Sequence, residues 1–382
     1  MGDDTFLNNL CWLKKRHHIV IKDALTRPRL RRCQNENTTQ DVFGAIKQVK
    51  LRPVVLQIFN AKGIKVSMYT AGMWMYKNGG GDVIQSKIIN QLRERDVAVI
   101  TDLNLANAYA KAGHIMCNNV AMDELDAFFS YNAGQQSQYQ VYLYQVLDES
   151  IPCLNSFASF ALSEDKFRTS QRLARAGLRT PDYRLCNRNE KQILKNTIRE
   201  WGGRLVYKPT DGWGGMGIVK IEDERSLDML LPFLDQTNIQ HFYIERFVNY
   251  DMTDYRIDIV DGEYVGCYGR QAPADDWKTN VTSGGKVIVR EPNDELVNIA
   301  IKAAKVTGLE IAGVDIIYDR EQEEYVVLEV NGIPAFATPE QEAMGLNFND
   351  LKIEKVVSLI EKKAKAHHHD QSKQTVIELL SA

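Results

Sequence analysis

Residues 312–331 read AGVDIIYDREQEEYVVLEVN and put carboxylates inside two apolar strands, which constrains the fold more than any other feature of the chain. Residues 313–318 and 325–330 are hydrophobic and β-branched, the pattern of paired, largely buried strands. A turn folded symmetrically about Gln322 sets Asp315 directly opposite Glu329. Side chains at i and i+2 share a strand face, so Asn331 joins Glu329. Two carboxylates and an amide oxygen then converge on one patch. Both carboxylates stay ionised there only beside a compensating cation. Hard oxygen donors, with no His or Cys nearby, suit Mg²⁺ or Mn²⁺, and Mg²⁺ held this way usually takes phosphate as a further ligand. The alternative is a solvent-facing strand edge with ordinary charges, which the apolar flanks argue against.

At 382 residues the chain has room for two or three domains. A net charge of −3 argues against nucleic acid or an acidic membrane as a bulk electrostatic partner. No apolar run approaches the roughly 18 residues of a membrane span. The start, MGDDTFLNNLCWLKKRHH, lacks a basic segment followed by an apolar core, so no secretory signal is expected. Six cysteines are scattered without a C-x-x-C pair. Reduced thiols and a cytoplasmic location are the expectation, with neither zinc nor a disulfide framework.

Residues 1–50 are basic and irregular, either a solvated extension or an arm that docks a partner or a second subunit. Residues 53–60 read as helical, with Gly63 as a helix stop, and 64–70 as a strand. Residues 82–94 form an amphipathic helix and 96–103 a second strand. This alternation predicts a small α/β domain with a parallel sheet over 51–160, closed by a Tyr- and Phe-rich helical stretch at 126–148. The glycines at 79–81 are a loop or an anion cradle. From about residue 156 the pattern changes. Residues 163–176 predict a helix capped by Ser163, with strands at 204–209, 218–222 and 242–248 and a short helix at 226–234. Residues 253–270 read as a hairpin turned by Asp261 and Gly262, and 293–307 as a helix before the acidic hairpin. Residues 367–382 read as a polar tail.

Gly212, Gly214 and Gly217 match G-x-G-x-x-G, but a strand follows them where the dinucleotide fingerprint needs a helix. Strand, glycine loop and strand make a flap that covers phosphates from above. Glycines allow positive φ and turn N–H groups toward phosphate oxygens. Lys208 ends the incoming strand, placed to neutralise phosphate charge. An ordinary glycine hairpin is the alternative; the carboxylate set about a hundred residues later weighs against it.

With Lys208, the flap, the FYIERFV strand and the D…E-x-N hairpin in this order, the chain resembles the ATP-grasp superfamily, and within it the RimK-type α-L-glutamate ligases. The likeness spans about 155–361. It rests on the Asp165-Lys166 pair, LVYKPTDGWGGMGIV, TDYRIDIVDGEYVGCYGRQ, WKTN with SGGKV, GVDII and LEVNGIP. It implies an α/β fold of the ATP-grasp kind: a small N-terminal parallel α/β domain, then two α+β lobes, 161–248 and 249–366, that clasp ATP. Lys166 and Lys208 would contact ATP, with Gly212, Gly214, Gly215 and Gly217 in the flap. Backbone groups of Glu245, Arg246, Phe247 and Val248 would read adenine, and Asp254 would hold ribose. Lys278, Thr279 and Asn280 would line the nucleotide and acyl-phosphate region, and Asp315, Glu329 and Asn331 would bind Mg²⁺. Arg270 and Arg256 would face the negative intermediate.

The implied reaction is ATP-dependent ligation of an amino acid to a small-molecule or peptide carboxylate through an acyl phosphate. Neither nucleic acid nor membrane is implied as a partner, and a homo-oligomer is compatible with the pattern. Three departures bear on the substrate. NGIPA stands where N-x-S-P-G is common, Lys278 replaces the usual arginine, and the linker NYDMTDYR is long. Two other readings are a small-molecule kinase on the same fold and a nucleotide-binding protein without turnover.

Overall fold

The computed structural model describes residues 68–132, 136–212, 215–234, 236 and 239–381. Two compact units divide the chain: Ser67–His367, and residues 1–66 with 368–382. The basic extension, the 53–60 helix and the start of the 64–70 strand lie outside the described residues.

The first sheet is built from β1 (Tyr69–Met75), β2 (Val97–Ile100), β6 (Ala127–Tyr131) and β7 (Cys153–Leu154), in the order β2-β1-β6-β7. All three pairings are parallel, as the strand–helix–strand pattern predicts. Helix α1 (Gly81–Glu94) crosses between β1 and β2 and buries Ile84, Ile88 and Leu92, residues four apart on one face. They pack with Ala71, Met73 and Phe129 of the strands. The expected helix over 126–148 is corrected. Residues 127–131 (AFFSY) form the central strand β6, and the helix α2 begins at Gln138 and ends at Ser150. A short apolar run buried on both faces has no readable period, so helix and strand look alike in the sequence. Short strands β3 (Tyr109–Lys111), β4 (His114–Cys117) and β5 (Val120–Ala121) form a separate antiparallel meander.

The expected helix capped by Ser163 is two helices, α3 (Phe157–Ser163) and α4 (Lys166–Arg175). The cap of α4 is Asp165, whose Oδ1 accepts from Arg168 N at 2.9 Å. A second sheet follows, with strands β8 (Tyr183–Asn187), β9 (Leu205–Lys208), β10 (Val219–Ile221) and β11 (His241–Arg246) in the order β10-β9-β11-β8. Helices α5 (Lys191–Glu200) and α6 (Glu224–Leu234) accompany it.

The third sheet positions the candidate site. Strands β12 (Thr253–Val260), β13 (Glu263–Gln271), β14 (Lys286–Ile288), β15 (Ile311–Asp319) and β16 (Glu324–Asn331) lie in the order β14-β13-β12-β15-β16, all antiparallel. One face of the sheet packs Ile257, Ile259, Val314 and Ile316 against Leu296, Ala300 and Ala303 of α7 (Asp294–Thr307). The opposite face carries Asp254, Arg256 and Asp258 at alternating positions of β12. The chain ends in α8 (Pro339–Ala343) and α9 (Asn349–Ser381). The expected polar tail at 367–382 is thus helical through Ser381. No helix among the described residues is long and apolar enough to cross a membrane.

Gly313 lets the end of this sheet close up. A Cβ there would lie 2.7 Å from Pro334 Cβ and 3.0 Å from Arg256 Cδ. Gly313→Ala therefore lowers unfolding free energy by about 1–3 kcal/mol, the usual cost of one methyl in a filled site. A lower urea midpoint at constant slope is the expected reading, and an unchanged midpoint would show that the 331–337 loop yields without cost.

Candidate active site

Asp315 and Glu329 are direct cross-strand partners, and Asn331 pairs with Gly313 one step along the same face. The three expected metal ligands therefore do converge. Asp315 is buried, and it is not short of cations. Arg256, its cross-strand neighbour on β12, donates through Nε to Oδ1 and through Nη2 to Oδ2, the latter at 3.0 Å. Arg270 Nη2 stands 2.8 Å from the same Oδ2. Burial pushes the Asp315 carboxyl up, but the Arg256 and Arg270 guanidiniums outweigh it and hold it below the ordinary carboxylate range. The sequence calls for a compensating cation beside these carboxylates, and for Asp315 the chain supplies two guanidiniums of its own.

Those arginines are accordingly not free to face an intermediate. Arg270 also binds Asp254, its register partner, with Nη2 to Oδ2 at 2.6 Å and Nε to Oδ1 at 3.0 Å. Thr279 Oγ1 donates to the same Asp254 Oδ2 at 2.5 Å. The Asp254 side chain has 0% exposure, so as folded it offers no oxygen to a ribose, and that expected role is corrected. Thr279 is buried with it, while Asn280 meets the flap: a Cβ on Gly215 would lie 3.1 Å from Asn280 Oδ1. Lys278 stands over the Trp277 ring, 6.0 Å from its centroid.

Of the two expected lysines, Lys166 meets Glu329 and Lys208 meets Glu245. Lys166 opens α4, and its Nζ lies 3.3 Å from Glu329 Oε1 and donates to Gly212 O of the flap at 2.5 Å. Lys208 ends β9, with Nζ 2.5 Å from Glu245 Oε2. Tyr243 OH donates to Glu245 Oε1 at 2.7 Å and meets Ser170 Oγ at 2.8 Å, so a buried polar chain fixes the carboxylate that holds Lys208. The flap glycines Gly212, Gly215 and Gly217 all take positive φ, +111°, +76° and +72°, as a phosphate-covering loop requires. Gly214 lies outside the described residues.

The hinge is partly committed. Arg246 N donates to Asp182 O at 2.7 Å, and its side chain is held by Asp182 and Asp319, so neither group reads a base. Phe247 and Val248 instead join Val206, Ile317, Val326, Ile218, Trp277 and Leu328 in an apolar cluster between the second and third sheets. A separate groove of about 860 Å³, lined by Thr180, Arg184, Trp201 and Arg246 among others, contains none of the metal-set residues.

Sequence reading missed Glu164, next to the capping Asp165. Burial raises its carboxyl, the Glu329 charge adds to this, and Lys166 opposes it, which places all three groups together. It also missed the Asp258–Lys352 pair described below. The donor set suits a hard divalent cation: two carboxylates in one register row and an amide two residues on, with Asn331 Nδ2 3.5 Å from Asp315 Oδ2. Among the described residues no three His, Cys, Asp or Glu side chains form a closed metal cage. An ion here would need ligands from its substrate as well.

Comparison with known proteins gives one consistent result. A RimK-like ATP-grasp domain is matched over residues 163–356, about half of the chain. The tetrahydromethanopterin:alpha-L-glutamate ligase of Methanocaldococcus jannaschii is 30% identical over 278 residues, covering 70% of this chain and 91% of that one. The alpha-aminoadipate–LysW ligase LysX of Saccharolobus solfataricus is 27% identical over 240 residues, 61% of this chain and 84% of that one. The crystal structure of D-alanine–D-alanine ligase from Bacillus anthracis, complexed with ATP, shares the fold. Its TM-score is 0.54 at 17% identity, over 79% of this chain and 99% of that one.

Arg270 bridges two buried carboxylates, so its removal is a stability event first. Arg270→Met leaves Asp254 and part of Asp315 uncompensated and lowers unfolding free energy by about 3–5 kcal/mol. Chemical denaturation at neutral pH checks this. An arginine that served only a substrate would leave the midpoint where it is.

Proposed function

The chain belongs to the RimK-like ATP-grasp family, and we propose that it adds glutamate or a similar amino acid to a small-molecule or peptide carboxylate. Its class is that of ATP-dependent, ADP-forming carboxylate–amine ligases. The glutamate assignment rests on the relative that covers most of the chain, whose name specifies an α-L-glutamate ligase. One observation carries the reading at the level of residues: Lys166 links Glu329 of the metal row to the Gly212 carbonyl of the flap. Flap, lysine and carboxylates thus border one space, which is what a phosphate chain with its cation needs on its sides. We assign residues 51–160 to the substrate-side α/β domain, and 161–248 and 249–366 to the two lobes around ATP.

The purine enters the apolar cluster at Phe247, Val248 and Ile317. Lys166 and Lys208 bind phosphate oxygens, since an ammonium makes its strongest hydrogen bonds to anionic acceptors. Asp315, Glu329 and Asn331 would hold Mg²⁺, which would supply neutralisation of phosphate charge. The substrate carboxylate oxygen attacks the γ-phosphorus of ATP, ADP leaves, and an acyl phosphate forms. The amine of the second substrate then attacks the acyl carbon, and phosphate leaves with the amide bond made. Arg256 and Arg270 keep Asp315 ionised and oriented throughout. The flap excludes water, which would otherwise hydrolyse the acyl phosphate.

Mass spectrometry of products from ATP, L-glutamate and a panel of carboxylates tests this. The expected result is ADP, phosphate and a product heavier by one amide-linked residue. A phosphate ester with ADP would instead establish the kinase. Glu329→Gln removes a metal-row charge, and we expect Mg²⁺-dependent ADP release to be lost while the circular dichroism spectrum and thermal midpoint stay within error. Full activity in that variant removes the metal row from the reaction.

A further inference from the structure

Lys352 is the most deeply buried cation described in the molecule, and nothing in the reaction above uses it. It sits on α9 with 0% side-chain exposure. Its Nζ makes three short contacts: Asp258 Oδ2 at 2.7 Å, Pro334 O at 2.8 Å and Ala335 O at 2.9 Å. The ring of Phe336 lies beneath it, 4.5 Å from Nζ to centroid. Two of its three hydrogen bonds therefore go to the loop that leaves Asn331.

That loop has no secondary structure of its own and is held almost residue by residue from outside. Gly332 O accepts from Asn155 Nδ2 at 2.8 Å. Pro334 O accepts from Tyr131 OH as well as from Lys352. Phe336 N donates to Tyr76 OH at 3.2 Å. Ala337 N donates to Asn349 Oδ1, and its O accepts from Asn349 Nδ2, both at 2.9 Å. Tyr76, Tyr131 and Asn155 follow or end strands β1, β6 and β7 of the parallel sheet, while Asn349 and Lys352 belong to α9. Asp258, the anchor of Lys352, lies in the same register row as Gly313 and Asn331.

We propose that Lys352, with Tyr131, is a positioning residue that fixes the 332–337 loop against the metal-row strand, and that this loop sets affinity for the amino-acid substrate and not for ATP. The second half rests on the function proposed above; the first half does not. Lys166 is bonded to Glu329 and to Gly212 O of the flap and Lys208 to Glu245, and no hydrogen bond among the described residues joins any of them to this loop. Loosening the loop should therefore spare the nucleotide. A purely structural ion pair makes a different prediction, because neutralising both partners would repair it.

The experiment uses the full-length chain as parent, Lys352→Met, the double variant Lys352→Met/Asp258→Asn, and Tyr131→Phe as a milder change that touches no charge. Hydrogen–deuterium exchange is read at residues 332–337 and, as reference, at β15. ADP release, in the presence of the carboxylate substrate that the product panel identifies, is then titrated with L-glutamate at saturating ATP, and with ATP at saturating L-glutamate. We expect the double variant to recover most of the thermal midpoint that Lys352→Met loses. Its 332–337 amides should still exchange at least tenfold faster than the parent's, with β15 unchanged. KM for L-glutamate should rise about tenfold and KM for ATP less than twofold, with Tyr131→Phe shifted the same way but less.

Parental exchange at 332–337 in both the double variant and Tyr131→Phe overturns the clamp. A loosened loop with unchanged KM for L-glutamate overturns its role in substrate affinity. If the parent, given a carboxylate from that panel, releases no ADP in response to L-glutamate, the glutamate reading of the function fails and the affinity role fails with it. The exchange arm still decides the clamp.

Discussion

The hydrogen bonding of Asp315 to two guanidiniums is the contact on which the rest of this site depends. Moving a carboxylate and two arginines out of water costs several kcal/mol per ion, so the arrangement persists only with close, multiply bonded geometry. The third sheet provides it by register. Arg256 stands opposite Asp315, and Arg270 stands opposite Asp254. The row of alternating charge then continues along the same face of β12 to Asp258 and its partner Lys352. Each charge has an opposite neighbour, which keeps a charged face inside a packed molecule. The same close, multiply bonded geometry holds the Asp315 carboxylate in one orientation.

Much of this face was legible in the sequence, though partly by a compensation that no sequence shows. Asp315 does pair with Glu329, as folding about Gln322 requires. Near the turn, however, Tyr318 pairs with Tyr325 and Ile316 with Val327, a frame one residue short of that symmetry. The bulge that takes up Leu328 restores the register in time for the acids. The D-x-R-x-D alternation at 254–258 was equally visible, but which arginine met which acid was not. Cross-strand partners come from strands up to about sixty residues away, and only the sheet order decides them. That is why Asp254 looked like a ribose ligand and Arg270 like a substrate contact. Each is the other's partner.

Elsewhere the missing information was tertiary. The run AFFSY is a strand because β1 and β7 flank it on both sides, which its own composition does not say. The sequence reading gave Lys352 no role. Its position carried a signal, since it lies four residues before Val356 and eight before Ile360, both fully buried. A lysine in the apolar stripe of a helix implies a buried acceptor set, here one carboxylate and two carbonyls. Ser163 was expected to cap one helix over 163–176. The break between α3 and α4 makes Asp165 the cap of α4, and it brings Lys166 to the first turn of that helix, beside Glu329.

The two sides of the metal row are built in opposite ways, and the difference follows from what each must do. On the flap side the described glycines Gly212, Gly215 and Gly217 take positive φ, which their missing Cβ permits. Lys166 is poised there between a carboxylate and a neutral carbonyl. Under the proposed reaction a phosphate oxygen, a stronger acceptor than that carbonyl, would take the lysine over from the flap. On the other side, residues 332–337 are bound to five separate side chains from the parallel sheet and α9. A loop fixed that way cannot follow the flap. Under the proposed reaction the acyl phosphate forms at the boundary between a wall that moves and a wall that does not. The amine must therefore approach from the fixed wall, because only there is its direction of attack preserved while the flap opens and closes.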